Sequence, residues 1–175
     1  LKGTFQAVAS VGMIEHVGYK NYSNFMEVVN RSLDEDGLFM LQTIGANRSQ
    51  VKCDDWFDKY IFPNGMLPSI MQVGSAIEET FILEDWHNLG IDYDKTLMAW
   101  YRNFEKNWEK IKSRYSERFF RMWRYYLLSL AGGFRARHMQ VWQIVVSPKG
   151  NVEGYAGVRC PECVSPAVIN EKMSI

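Results

Sequence analysis

Glu15 and His16 follow directly on an apolar run, Phe5 to Val11, that ends at Gly12. A carboxylate and an imidazole at the end of a buried strand are residue types that hold or move protons near neutral pH. A second apolar run, Leu38 to Ile44, carries one polar interruption at Gln42 and ends at Gly45, and Tyr93 opens a long aromatic stripe. Each has a plainer reading. Glu15 can cap the turn after its strand, Gln42 can satisfy an internal hydrogen bond, Tyr93 can be a core ring, and His16 and His87 can be structural or solvated. Cys160-Pro161-Glu162-Cys163 has the spacing of half a zinc knuckle. Structural zinc takes four ligands, and Cys53, His16, His87 and His138 offer no second paired spacing, so no metal is assigned.

The elements that must position these side chains alternate between strand and helix. Phe5 to Val11 reads as a buried strand. Tyr22, Phe25, Met26, Val29 and Leu33 fall at helical spacing, which predicts a helix over Asn21 to Leu33, with a turn at Asp34-Glu35-Asp36-Gly37. With Leu38 to Ile44 this makes a βαβ unit, and reactive groups in such sheets gather at the carboxyl ends of the strands. Asp54 to Glu79 reads as helix, turn and helix, with the turn at Phe62-Pro63-Asn64-Gly65 and a helix start at Pro68-Ser69. A strand is expected over Phe81 to Asp85. Two aromatic helices follow, the first striped by Tyr93, Leu97, Trp100, Phe104, Trp108, Ile111 and Tyr115, the second by Phe119, Trp123, Tyr126, Leu127, Leu130 and Phe134 and stopped by Gly132 and Gly133. Met139 to Ser147 reads as the last strand. The compact part is expected to close at Gly150, leaving 151–175 as a loosely held tail.

Composition narrows the function classes. The chain has 175 residues, of which 47% are apolar, enough for one core. Its 20 basic and 20 acidic residues cancel, so no overall field draws in nucleic acid, and no nucleic-acid partner is expected. A mean hydropathy of -0.25 and the lack of a long apolar run argue against a spanning helix, and no signal peptide is read at the start. The three cysteines are an odd number and suit a reducing cytoplasm. Lys106, Lys110, Lys112, Arg114, Arg118, Arg121 and Arg124 outnumber Glu105, Glu109 and Glu117, which reads as a solvated face or as a contact for anionic lipid headgroups.

Several separated motifs carry a family resemblance. Val11-Gly12-Met13-Ile14-Glu15-His16-Val17-Gly18, Thr43-Ile44-Gly45, Tyr60 to Ser69, Asp85-Trp86-His87-Asn88, Asp92 to Trp100 and Phe134-Arg135-Ala136-Arg137 together resemble the C-terminal half of bacterial cyclopropane-fatty-acyl-phospholipid synthases, over about Phe5 to Val146. The resemblance implies an α/β fold: the second half of a class I methyltransferase-like (Rossmann-like), doubly wound sheet, with an inserted helical lipid-pocket region. It also implies an S-adenosylmethionine-dependent enzyme that adds a methylene across a cis double bond of a phospholipid acyl chain. That chemistry passes through a carbocation, which aromatic faces stabilise, and ends with a proton lost to a base, in this family a bound bicarbonate.

Carried over by position, the resemblance gives Glu15, Tyr93 and the Ile44 backbone to the bicarbonate site, and Val11 and Gly12 to the methyl-donor site. The family's histidine falls on Gln42, which can exchange hydrogen bonds with an anion but cannot carry a proton. A family cysteine falls on Leu130, so no thiol chemistry is assigned. The glycine-rich donor loop and the ribose-binding acid have no counterpart before Phe5. The resemblance then implies a chain that catalyses poorly alone, placed in the cytoplasm, peripheral to the inner membrane, acting on phospholipid acyl chains at the membrane surface and forming a homo-oligomer through its open sheet edge. The alternative is a non-catalytic remnant, a self-associating or lipid-surface module.

Overall fold

Among the described residues four strands form one sheet: Phe5–Val11 (β1), Leu33–Ala46 (β2), Ile82–Asn88 (β3) and Met139–Ser147 (β4). The computed structural model describes residues 3–152 and 154–157. β1 and β2 are parallel and joined through Tyr22–Asn30 (α1), the expected βαβ unit. The strand order is β1-β2-β4-β3, with β4 antiparallel to both neighbours. Asp55–Tyr60 (α2) and Ile70–Ile77 (α3) lie between β2 and β3 in the chain, and Gly90–Ile111 (α4) and Glu117–Arg135 (α5) lie between β3 and β4.

Alternation along β2 divides the interior into two layers. Phe39 and Leu41 point to the face covered by α1 and α3, where Tyr22, Met26, Val73 and Ile77 close a core with Trp142 and Ile144. Ile44 and its register partner Val141 point to the other face, under Leu97, Leu127, Leu130 and Phe134 of α4 and α5. Stripes at helical spacing against alternation at period 2 make this sandwich the arrangement that buries both sets. Asp94 and Arg135 add a two-pronged ion pair, Nε to Oδ2 at 3.0 Å and Nη2 to Oδ1 at 2.9 Å, which ties the start of α4 to the end of α5.

Five local expectations change. Phe5–Val11, read as a buried strand, is an edge strand with no buried residue, because only β2 pairs with it among the described residues. The first helix ends at Asn30, and Leu33 belongs to the strand, paired with Phe5. Asp34 to Gly37 is a bulge within β2 instead of a turn: Phe5 pairs with Leu33 but Ala7 with Leu38, so the extra residues loop out, and a β-carbon on Gly37 would sit 2.9 Å from the Asp34 carbonyl oxygen. β3 continues past Asp85 to Asn88 because β4 keeps offering it partners, down to Asn88 opposite Trp142. Gly132 and Gly133 do not stop α5, which runs on to Arg135. The reversal comes at Arg137, with φ 60°, where the Arg137 and His138 amides bond back to Phe134 and Gly133. The Pro68-Ser69 start holds: the Ser69 hydroxyl accepts from the Gln72 amide while the Gln72 side chain accepts from the Ser69 amide. Ser147 and Gly150 close the turn after β4, and Cys160 and Cys163 lie outside the described residues.

Candidate active site

β1 stops pairing at Val11, opposite Gln42, and Gly12 with φ 65° turns the chain away while its amide still donates to the Gln42 carbonyl at 3.0 Å. The next residues form a single 3-10 turn, Ile14–His16. Ile14 enters the core there, and the Glu15 carboxylate is brought inside with 8% of the residue exposed. β2 outruns its parallel neighbour, so the amide of Ile44 on that side has lost its strand partner. Glu15 takes the place of the strand: Oε1 accepts from the Ile44 N–H at 2.8 Å. The Glu15 carbonyl accepts from the Met66 amide at 2.8 Å, which fixes the turn from outside.

The second carboxylate oxygen, Oε2, is buried and has no hydrogen-bond partner among the described residues, and the same holds for the Tyr22 hydroxyl. Burial first, and the Glu15 charge second, push the Tyr22 phenol up to about 12. The Tyr93 phenol is raised by the same causes in the same order. Two neutral hydroxyls therefore feel one buried carboxylate whose second oxygen is unpartnered among the described residues.

This centre opens on a cavity of about 210 Å³ whose walls include Glu15, Ile44, Cys53, Phe62, Leu67 and Tyr93. Ile44, Cys53, Phe62 and Leu67 also border a second cavity of about 230 Å³ that reaches Leu130 and Met139. The two adjoin as a mainly apolar passage with an acidic end. Tyr93 packs edge-on against Phe134 at 5.1 Å, which sets the plane its ring presents.

Glu15, Ile44, Tyr93 and Gly12 thus come together on one cavity, and His16 joins them with its ring 6.1 Å from that of Phe62. Val11 stands at the exposed end of the edge strand, 61% accessible. Gln42 does not line the cavity: its Oε1 accepts from Nε2 of Gln143, its register partner on β4, at 2.8 Å. Leu130 lines the second cavity. Tyr22, Phe62 and Cys53 carry no site role in the sequence reading. Tyr22 sits at an apolar-stripe position of α1, and only the packed structure reveals the isolation of its hydroxyl.

The model of the family described as mycolic acid cyclopropane synthetase matches residues 1–144. The chain belongs to that family. It is 52% identical over 147 residues to the cyclopropane-fatty-acyl-phospholipid synthase of Escherichia coli K12, a match that covers 84% of this chain and 38% of the relative. The cyclopropane synthase MmaA2 from Mycobacterium tuberculosis superposes with a TM-score of 0.77 at 22% identity, over 84% of this chain and 56% of that one. The mycolic acid cyclopropane synthase CmaA1, complexed with SAH and CTAB, superposes with a TM-score of 0.75 at 25% identity and the same coverages. The chain spans well under half the length of that bacterial relative. Its mixed α/β sheet is that of the methyltransferases it matches. No helix among the described residues is long and apolar enough to cross a membrane.

Proposed function

We propose that this chain supplies the acyl-chain pocket and the proton-handling residues of a cyclopropane synthase acting on phospholipid acyl chains. The observation that carries the reading is the buried Glu15 carboxylate, anchored by one oxygen and unpartnered at the other, on the wall of a mainly apolar cavity. S-adenosylmethionine, when bound, would supply a sulfonium methyl to the cis double bond, and bicarbonate would supply the base for the proton lost as the ring closes. The residues around Glu15 fit the second of these groups. Glu15 and the Tyr93 hydroxyl, both on the cavity wall, would hold the anion, Glu15 as acceptor and Tyr93 as donor, and a carboxylate near the transferring carbon would be matched to a positive charge. The rings of Tyr93 and Phe62 offer negative faces to a carbocation, and Leu67, Leu130 and Met139 keep water from it. Val11 and Gly12, at the carboxyl end of β1, stand where parallel sheets bind a cofactor.

The test is methylene addition to unsaturated phospholipid, followed by mass spectrometry, with the chain joined to a donor-binding half. Glu15→Gln should lower the rate by at least about a hundredfold, since it turns an acceptor into a donor where a donor must be received. An unchanged rate would refute the assignment of Glu15.

A second reading rests on β1, an edge strand with no strand on its outer side among the described residues and with Phe5 and Val11 exposed. Self-association through that edge would show as a concentration-dependent mass in light scattering. A monomeric mass throughout a dilution series would exclude it.

A further inference from the structure

On α5, Arg118, Arg121, Met122 and Tyr125 follow at i, i+3, i+4 and i+7, a stripe separate from the one buried through Tyr126, Leu127 and Leu130. Trp56 and Tyr60, one turn apart on α2, face it across a groove of about 470 Å³ that these six side chains line. The Trp56 and Tyr125 rings meet edge-on at 4.5 Å, and the Arg118 guanidinium lies 5.9 Å from the centre of the Tyr60 ring. Among the described residues neither Arg118 nor Arg121 has a carboxylate partner, whereas Lys95, Lys112 and Arg135 each have one. The groove is thus cationic, aromatic and open.

Its position relative to the passage decides the occupant. Asp54 and Phe57, at the start of α2, and Ser129 and Leu130 of α5 border the second cavity, and Ser129 is one turn beyond Tyr125. The two helices that line the groove outside therefore also wall the apolar passage inside. Tryptophan and tyrosine, with one apolar body and one polar edge, suit the headgroup layer of a bilayer, and guanidinium forks match phosphate oxygens in pairs.

We propose that the groove between α2 and α5 is the surface by which this protein docks on the anionic phospholipid headgroups of a bilayer, with the passage turned toward the membrane that supplies its acyl chain. The proposal rests on the lipid-substrate reading above, and its test separates the two. The full chain is sedimented with vesicles of phosphatidylcholine alone and of phosphatidylcholine mixed with phosphatidylglycerol. Binding should require the anionic lipid. Replacing Arg118→Gln and Arg121→Gln together should weaken it about 25-fold, from roughly fivefold for each cation held near a charged surface. Arg118→Lys with Arg121→Lys should bind more tightly than the Gln pair and less tightly than the wild type, because the charge remains and the paired guanidinium contacts do not. Equal binding to neutral vesicles, or a Gln pair that binds as the wild type does, overturns the proposal. So does a Gln pair that abolishes a dimer in light scattering while vesicle binding persists, since the groove would then hold a second copy. Methylene addition to detergent-dispersed lipid, measured with the donor-binding half joined, should be unaffected by the Gln pair. If no such addition occurs in any form while the arginine-dependent vesicle binding holds, the reaction assignment falls and the docking surface stands.

Discussion

A single methyl group placed on Gly45 tests how the sheet and the site depend on one another. Gly45 lies on β2 next to Ile44, whose amide holds Glu15. Trp142 is paired with Thr43, so its side chain emerges on the same face as Gly45 and leans diagonally over it. A β-carbon at Gly45 would lie well under 3.0 Å from Cζ3, Cη2 and Cε3 of the indole. The ring has no slack: Trp142 is 2% exposed and is met on its other side by Trp86, edge-on at 5.2 Å. Gly45→Ala must therefore displace either an indole or the strand, and overpacking of this kind costs about 1–3 kcal/mol. At roughly 2–4 °C per kcal/mol for a domain of this size, the melting temperature should fall by about 2–12 °C, read by calorimetry or circular dichroism. Trp142→Phe frees the space, so in the double variant Gly45→Ala should cost less than it does alone, with a coupling of about 0.5–3 kcal/mol. A Gly45→Ala protein within about 0.5 kcal/mol of wild type would refute the packing argument, because that is the range of an unconstrained surface change.

Gly132 offers the opposite case: a β-carbon there meets nothing within 4 Å and the residue is inside α5, so Gly132→Ala should raise stability by about 0.5–1 kcal/mol in urea unfolding, and a loss would mean that the glycine serves the backbone. Below pH 10 the Tyr22 phenol is neutral whether folded or not. Between pH 10.0 and about 12 this phenol ionises mainly in the unfolded chain, so Tyr22 alone should lower stability by about 3 kcal/mol across that window, and Tyr22→Phe should lack this part of the wild-type fall in denaturant titrations at its two ends. Gln42→His, in the form joined to a donor-binding half, should keep or raise the methylene-addition rate and make it more dependent on pH near neutrality, where imidazole titrates. Unfolding without a change in bicarbonate dependence would make Gln42 a cross-strand residue only, paired with Gln143.

The ends of β1 and β4 could be read directly from the chain, because a short apolar run bounded by Gly12, or by Ser147 and Pro148, has few other solutions. The aromatic helices were equally plain from their stripes. What local pattern could not show was decided by partners distant in sequence. Leu33 looks like the end of a helix until Phe5 claims it, and Gly132 looks like a stop until α4 packs along the whole of α5. The reversed direction of β4, the Gln42–Gln143 pair and the indole over Gly45 each join residues about a hundred positions apart, and no periodicity records them. At the site, Glu15 was visible as a carboxylate at a strand end, but its bond to Ile44 follows from β2 outrunning β1, a difference in strand length that appears only once the register is known.

The placement of β4 has a consequence for how the protein is made. Among the described residues it is the strand made last, yet it lies between β2 and β3, which are not neighbours in the sheet. Until Met139–Ser147 has emerged, the nascent chain holds β2 and β3 with open edges toward a vacant lane, and both aromatic helices wait without the surface they cover. The seam then closes by contacts as distant as Phe39 with Val146 and Ile82 with Ser147. Joining β2 to β3 is therefore a late, long-range event, and a nascent chain that stalls before Met139 keeps two strand edges open where β4 would pair.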